Sequence, residues 1–576
     1  MDFSDEILKQ TQDLPVGVDD YKELIDENCL YIDKTLLIKE FFDNKAKVTL
    51  ITRPRRFGKS ITLSMLRYFF EKTDRSNAYL FEKTKIWQYE KFQKIQGTYP
   101  VIFISFKDIK ATTWEEAYLE IKKLLAQEIR RTLKPLLPEM DEDYKARYQS
   151  LIEQTANEVE FNSALQFITE VFQEHLKKKT IILIDEYDTP ITSAYLHKFY
   201  NKMTEFMCQL LSKALKSNVN LHKGFMTGVV RTAKDGILSG LNNPEIYTML
   251  DAGYSDKFGF TEAETDQLLT CLGCLDKKEE LKSWYNGYTV GSKHAFPSKI
   301  YNPWSVLEYM KHDRIPDIYW ANTGSTELLE RLIAEADEGT QKELMLLMEG
   351  LTLEKKEINQ NVILLELDDR GHEPWSFLFF AGYITAIDHL FEGSKHYYTL
   401  AIPNEEIAEL YKKLVKGAIG RTFSSSKLID LHRALIAGDD HVFGNLLEDF
   451  ICSMCSFHDL PKNYIERSLH LFILGLLASL QERYIVKSNL ESGFGRYDIC
   501  LHPRKGIKDP AVILEFKKGK DNELEKLADE ALQQIRENRY ESLARDFGYK
   551  GKVICYGIAG FKKRLVTKME IRNIDN

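Results

Sequence analysis

The chain has 576 residues, of which 44% are hydrophobic and 29% charged, with a formal net charge of −9. That length exceeds one ordinary core, so roughly two to four domains are expected, and the composition excludes a disordered or fibrous chain. The acidic balance excludes a global basic footprint, so any nucleic-acid surface must be local.

The opening residues, MDFSDEIL, are acidic and carry no signal-peptide pattern. Residues 1–45 are mixed, with a Pro15-Val16-Gly17 turn and a hydrophobic segment around Leu30-Tyr31-Ile32. Val48-Thr49-Leu50-Ile51 then reads as a strand, and Ile61 to Phe70 as a helix. Between them lies Arg53-Pro54-Arg55-Arg56-Phe57-Gly58-Lys59-Ser60. A strand, a loop ending in Gly-Lys-Ser and a helix are the layout of a phosphate-binding loop. Backbone N–H groups at the start of the helix favour an anion. Lys59 is placed to reach β- and γ-phosphates, and the Ser60 hydroxyl to ligate Mg²⁺. ATP with Mg²⁺ is therefore the expected ligand. The pattern departs from the usual one at its start, where Arg53 stands in place of the first Gly.

Val101 to Phe106 is a further strand candidate, and residues 113–178 read mostly helical. Thr180-Ile181-Ile182-Leu183-Ile184 is a continuous aliphatic run, as in a strand buried on both faces of a parallel sheet. It ends in Asp185-Glu186-Tyr187-Asp188, at the end of the strand where such sheets bind ligands. Asp185 is the expected holder of the Mg²⁺ shell, and Glu186 the group that polarises the attacking water. Helices are expected to about Asn218. Gly224 to Val230 then reads as a strand, and Arg231 follows it where a nucleotide-sensing or transfer residue would sit. Strands alternating with helices predict a three-layer α/β parallel sheet of the P-loop NTPase kind.

The texture changes from about residue 255. Trp284-Tyr285-Asn286-Gly287-Tyr288 and Tyr301-Asn302-Pro303-Trp304 are aromatic turns. Packing is favoured there over a base-stacking platform. Residues 325–350 read as a charged helical lid or linker, and residues 360–425 as short strands and helices. Cys271/Cys274 and Cys452/Cys455 are spaced C-x-x-C, the second pair followed by His458. Pairs so far apart read as buried thiols in a reducing compartment rather than a zinc site. The longest apolar run, near Leu471–Leu480, is too short to cross a bilayer. A cytoplasmic protein without membrane contact is expected.

The last third carries a second chemistry. Tyr497 to Leu501 and Ala511 to Lys517 read as two strands of a hairpin. With period two, Glu515 and Lys517 share a face, and Asp498 can come beside them. Two carboxylates hold a hard divalent cation, Mg²⁺ or Mn²⁺, and a lysine orients water or offsets phosphate charge. The competing reading is an exposed, weak ion cluster. Glu466 reads better as a solvated helix residue than as a third ligand. Leu527, Ala531, Leu532 and Ile535 keep helical spacing, and Lys552 to Ile558 is a final strand.

Specific stretches carry a family resemblance over nearly the whole chain: LPVGVDDYKEL, YIDKT, ITRPRRFGKS, IILIDEYDTPI, FMTGVVRTAKDGILSGLNN, FGFTEAE, WYNGY, YNPWSV, YWANTG and IPNEE. ESGFGRYDICL, AVILEFKKGK, ALQQI and VICYGIAGF follow in the C-terminal part. The chain resembles bacterial AAA-ATPase-like proteins fused to a PD-(D/E)XK nuclease-superfamily domain. The resemblance makes Arg53 normal at its position and Tyr497 the replacement for an often absent Pro. It implies metal and catalytic roles for Asp498, Glu515 and Lys517, with Gln534 supporting them from the helix. It also implies a restriction-endonuclease-like α/β fold for the C-terminal domain. The expected organisation is an ATPase domain over residues 1–270, a helical lid and linker region over 271–425, and a nuclease-like domain over 426–576. The expected function is an ATPase coupled to a metal-dependent nuclease acting on DNA or RNA, in a chain open to homo-oligomer formation. The alternative is a nucleotide-switched interaction protein with an inactive nuclease-like domain.

Overall fold

A computed structural model describes residues 13–216, 218–231, 244–291, 298–320, 328–329, 331–332, 338–348, 350–361, 364, 374–422, 425–454, 480, 483–488, 491–492, 495–496, 499–537, 550–561 and 564–574. The chain forms two compact units. One is built from Met1–Leu332 and Glu349–Ala408, the other from Ile333–Met348 and Glu409–Asn576.

The aliphatic runs become the centre of the first unit. β1 (Val48–Thr52), β2 (Val101–Ser105), β3 (Thr180–Asp185), β4 (Leu221–Gly228) and β5 (Pro244–Tyr247) form one parallel sheet in the order β2-β3-β4-β1-β5. β1 and β3 are buried at every position, because helices cover the sheet and leave no polar face. The helices are α1 (Lys59–Phe70), α2 (Trp114–Leu133), α3 (Ala164–Leu176) and α4 (Tyr200–Leu215). Each carries an apolar stripe; in α1 it comprises Leu63, Leu66, Phe69 and Phe70, which pack with Phe41, Phe81 and Phe225. α2 starts where the Thr113 side chain accepts from the Glu116 N–H, with Glu115 and Glu116 complementing the helix dipole. The order places β4 between the loop-bearing β1 and the acid-bearing β3.

Smaller sheets complete this unit. β6 (Phe260–Thr261), β7 (Tyr288–Val290) and β8 (Ser298–Tyr301) are antiparallel in the order β6-β8-β7. α5 (Pro303–Lys311) follows, capped by Asn302, whose Oδ1 accepts from the N–H groups of Trp304 and Ser305. β9 (Leu353–Glu357), β10 (Thr385–Glu392) and β11 (Lys395–Ala401) form another antiparallel sheet in the order β10-β11-β9. Tyr285, Tyr288 and Tyr301 of the aromatic turns are buried, which is packing. Gly287 is required there: its φ is +108° and a side chain would collide with the Pro403 carbonyl. Cys274 is buried against Met310, and Cys271 is half-buried.

The second unit contains α6 (Glu338–Met348), α7 (Ser425–Ala437) and α8 (Asp440–Met454). Its sheet has the order β12-β15-β16-β17-β18, from β12 (Tyr484–Ser488), β15 (Ile499–Pro503), β16 (Ala511–Lys518), β17 (Gly551–Phe561) and β18 (Arg564–Ile574). A small hairpin of β13 (Glu491–Ser492) and β14 (Gly495–Arg496) precedes β15. β15 and β16 are the expected hairpin, paired antiparallel with Ile499 opposite Leu514. β16 and β17 are parallel and joined by the expected helix, α9 (Leu524–Glu537), which buries Leu524, Ala528, Ala531, Leu532 and Ile535. Glu466, Cys455, His458, Tyr497 and Asp498 lie outside the described residues, as does the side chain of Cys452.

Candidate functional site

The sharp turn from β1 into α1 is made by Gly58 at the helix N-cap, with φ +81°, a conformation that disfavours any side chain. The free N–H groups of the first turn of α1 therefore face the loop. Lys59 is buried, 4% exposed, and its ammonium donates to the carbonyls of Arg53 (3.2 Å) and Pro54 (3.0 Å). It lies 3.9 Å from Glu186 Oε1. Burial draws the Lys59 pKa down, against the opposing pull of Glu186 and Asp185.

Register brings the rest together. Ser60 Oγ donates to Asp185 Oδ2 at 2.7 Å, across 125 residues of sequence. Thr227 Oγ1, at the end of β4, donates to Asp185 Oδ1 at 2.7 Å, and Ser105 Oγ, at the end of β2, reaches Oδ2 at 3.3 Å. Burial and then Glu186 push the Asp185 carboxyl upward, against the two hydroxyls of Thr227 and Ser60. Burial raises Glu186 as well, but Lys59, the Thr189 hydroxyl (2.9 Å) and Arg55 outweigh it and hold this carboxylate below its ordinary range. Glu186 thus stays ionised beside a hydroxyl–carboxylate pair suited to a hard divalent cation. Lys59, Ser60, Glu186 and Thr189 line a cavity of about 360 Å³. Arg55, Arg56, Phe57, Gly58, Lys59 and Ser60 all line it. The wall is rich in cations, with Lys34, Lys107, Lys110 and Lys257 added to those of the loop.

The first two residues of the loop behave differently. Arg53 is fully buried, and its guanidinium donates to the carbonyls of Thr52 (2.9 Å), Tyr247 (3.3 Å) and Tyr254 (3.3 Å). Its side chain ties β1 to the chain around β5 and does not line the cavity, which corrects its expected place in the phosphate cradle. Burial brings its pKa down to about 10. Pro54 packs on Gly382, where a Cβ would lie 2.8 Å from the proline ring.

Arg231 does not line the cavity either. It is half-buried and follows a clamped turn. Asp188 Oδ2 accepts from the N–H groups of Val229 (2.8 Å) and Val230 (2.9 Å), while the Tyr187 hydroxyl donates to the Val230 carbonyl at 2.8 Å. Gly228 leaves the space: a Cβ there would lie 2.6 Å from the Tyr187 ring and 2.7 Å from Asp188 Oδ1. Sequence reasoning missed Ser105, Thr227 and Thr189. Their only signal was a polar residue at the C-terminal end of a strand or in the turn after it. It also missed Trp304, which lines the cavity under Arg56, whose guanidinium stacks 4.0 Å from the indole centroid. The Trp320 indole N–H donates to the Arg55 carbonyl at 3.1 Å, steadying the loop from its far side.

In the second unit, Glu515 is 3% exposed and Lys517 half-buried, two residues apart on β16. Gln534 of α9 bridges them: the Lys517 ammonium donates to its Oε1, and its Nε2 donates to Glu515 Oε1. An amide can do both because it presents a donor and an acceptor at once. The two strand residues and the helix residue therefore converge as expected, while Asp498 lies outside the described residues.

Comparison with known proteins accords with this division. Residues 15–238 match the family described as predicted AAA-ATPase, and residues 465–570 match the PD-(D/E)XK nuclease superfamily. The chain is 25% identical over 462 residues to an "Uncharacterized protein in vnfD 5'region" of Azotobacter chroococcum mcd 1, covering 78% of this chain and 79% of that protein. No solved structure matches. No helix among the described residues is long and apolar enough to cross a membrane.

Proposed function

We propose, from the premise of an AAA-ATPase-like segment followed by a PD-(D/E)XK segment, that the chain hydrolyses ATP and couples this to metal-dependent cleavage of nucleic acid. The observation that carries the first half is the Ser60–Asp185 bond at the foot of a cation-walled cavity. The N-terminus of α1 receives the β- and γ-phosphates, and Lys59 exchanges its two carbonyl partners for them. Ser60 and Asp185 hold Mg²⁺, which offsets charge on the transferring phosphoryl group. Glu186, kept ionised by Lys59, orients the attacking water.

In the second unit, Glu515 with Asp498 holds Mg²⁺ or Mn²⁺, and Lys517 faces the scissile phosphate. Gln534 sets the spacing of Glu515 and Lys517. Removing a carboxylate ligand weakens the ion that neutralises phosphate charge.

Calorimetric titration and turnover test the reading. Lys59→Ala is expected to abolish ATP binding without unfolding the chain. Glu186→Gln is expected to keep ATP bound and slow turnover by about two to four orders of magnitude, the worth of a positioned base. Glu515→Ala is expected to stop Mn²⁺-dependent cleavage and leave ATP turnover intact. Unchanged ATP affinity in Lys59→Ala would refute the first site, and cleavage that survives Glu515→Ala would refute the second.

A further inference from the structure

The end of the parallel sheet opposite the phosphate cavity carries a second concentration of positive charge. Lys45 and Lys47 precede β1, Lys177, Lys178 and Lys179 precede β3, and Lys223 stands near the start of β4. Parallel pairing aligns these segments, with Val48 opposite Gly224 and Thr180 opposite Leu221. Lys47, Lys178, Lys179 and Lys223 accordingly surround His222, whose pKa burial and then these charges bring down to about 4.

Backbone carbonyls hold several of these ammonium groups in place without neutralising them. Lys47 donates to the Leu221 carbonyl at 3.2 Å, Lys178 to Thr98 at 2.7 Å, and Lys223 to Ala46 at 3.1 Å. Among the described residues none of the six lysines pairs with a carboxylate, and the nearby Asp43 is already bound by Lys39 and Lys91. Half-buried rings lie between the charges. Tyr99 stacks on His222 at 4.7 Å, Phe42 lies 5.6 Å from the same imidazole, and the Lys178 ammonium sits 4.8 Å over Tyr99.

We infer that this end of the sheet is a binding surface for single-stranded nucleic acid. Unpaired lysines follow a phosphate backbone, and interleaved rings suit bases that a single strand leaves unstacked. An acidic protein segment would use the cations but has no use for the rings. In a chain of net charge −9 the local excess is strong enough to direct a polyanion to one place. The choice of a nucleic acid rests on the nuclease reading and names where that substrate is held.

The test is fluorescence anisotropy of the full chain with a labelled oligo(dT), in EDTA, over a series of salt concentrations. The variant is Lys177→Glu/Lys178→Glu/Lys179→Glu, three exposed positions, with ATP turnover as the control for folding. Binding is expected to weaken at least tenfold, and the slope of log K against log salt to shrink by about two, since each strand contact contributes ~0.7. Three results overturn the inference: an unchanged affinity and slope, a preference for duplex, or competition by poly-glutamate as strong as by unlabelled oligo(dT). Glu515→Ala separates this surface from the nuclease reading, because it is expected to bind the strand like wild type while failing to cleave it.

Discussion

Asp188 shows how one carboxyl can hold a turn at a cost that depends on pH. Its Oδ2 takes the two N–H groups that lead to Arg231, while its Oδ1 is buried with no hydrogen-bond partner among the described residues. Burial pushes its pKa up to about 6 from an ordinary 3.8; Glu186 adds to the rise, and the two N–H donors oppose it. Between these values the folded chain keeps a proton that the unfolded chain has released. Stability from this group therefore falls as pH rises through the window, and the full penalty is present above about pH 6. At 1.36 kcal/mol per pKa unit the difference is about 3 kcal/mol. Asp188→Asn keeps the shape and removes the titration. The Tm of wild type is expected to fall relative to this variant as pH rises from about 3.8 to about 6, followed by circular dichroism. A constant gap across that range would assign the dependence to another group.

Elements respond to closer contacts. α9 crosses β17 at Gly557, where a Cβ would collide with the Ala528 carbonyl and the Leu532 side chain. Gly557→Ala is expected to push the helix outward and destabilise the second unit by about 1–3 kcal/mol, as overpacking does. Gln534 would move off Glu515 and Lys517, so metal-dependent cleavage is expected to drop while ATP turnover stays at the wild-type level. Loss of both activities would place the damage elsewhere. β1 to β4 and α9 were legible in the sequence because an aliphatic run or a helical stripe is a local signal. β5 was not, since Pro-Glu-Ile-Tyr is short, partly exposed and found at the sheet edge. β18 was hidden by its charges, with Arg564, Lys568, Glu570 and Arg572 along one strand. At the candidate site, the meeting of Lys59 and Ser60 with Asp185 and Glu186 was legible from their places directly after two aliphatic strands. Thr227 and Ser105 were not, because only the pairing of β2, β3 and β4 brings them to Asp185. Arg53 was misplaced because a linear motif does not say which side of the chain a side chain leaves.

At the scale of the whole molecule, the chain enters the second unit early, returns and leaves again. α6 belongs there although β9, β10 and β11 of the first unit follow it in sequence. A fragment ending at residue 408 would strip α6 of its partners and expose Leu344 and Leu347, each worth about 2 kcal/mol of burial. Trypsin is expected to cut that fragment at Lys342 at least about tenfold faster than the full chain, read by mass spectrometry, because an unsupported helix opens locally. Equal rates would mean that the first unit holds α6 by itself. The sheet order also has a consequence for synthesis. β1, made at residues 48–52, pairs with β4 at residues 221–228 and β5 at residues 244–247. As the chain leaves the ribosome, the strand that carries the Gly58-Lys59-Ser60 loop waits through β2 and β3 before a neighbour exists. Such distant pairing slows folding and leaves an apolar strand exposed in the meantime. The cavity beside that loop therefore cannot close until β4 and the later lining residues Pro303, Trp304 and Leu307 have been made, and a nascent chain shorter than residue 228 has no means of assembling it.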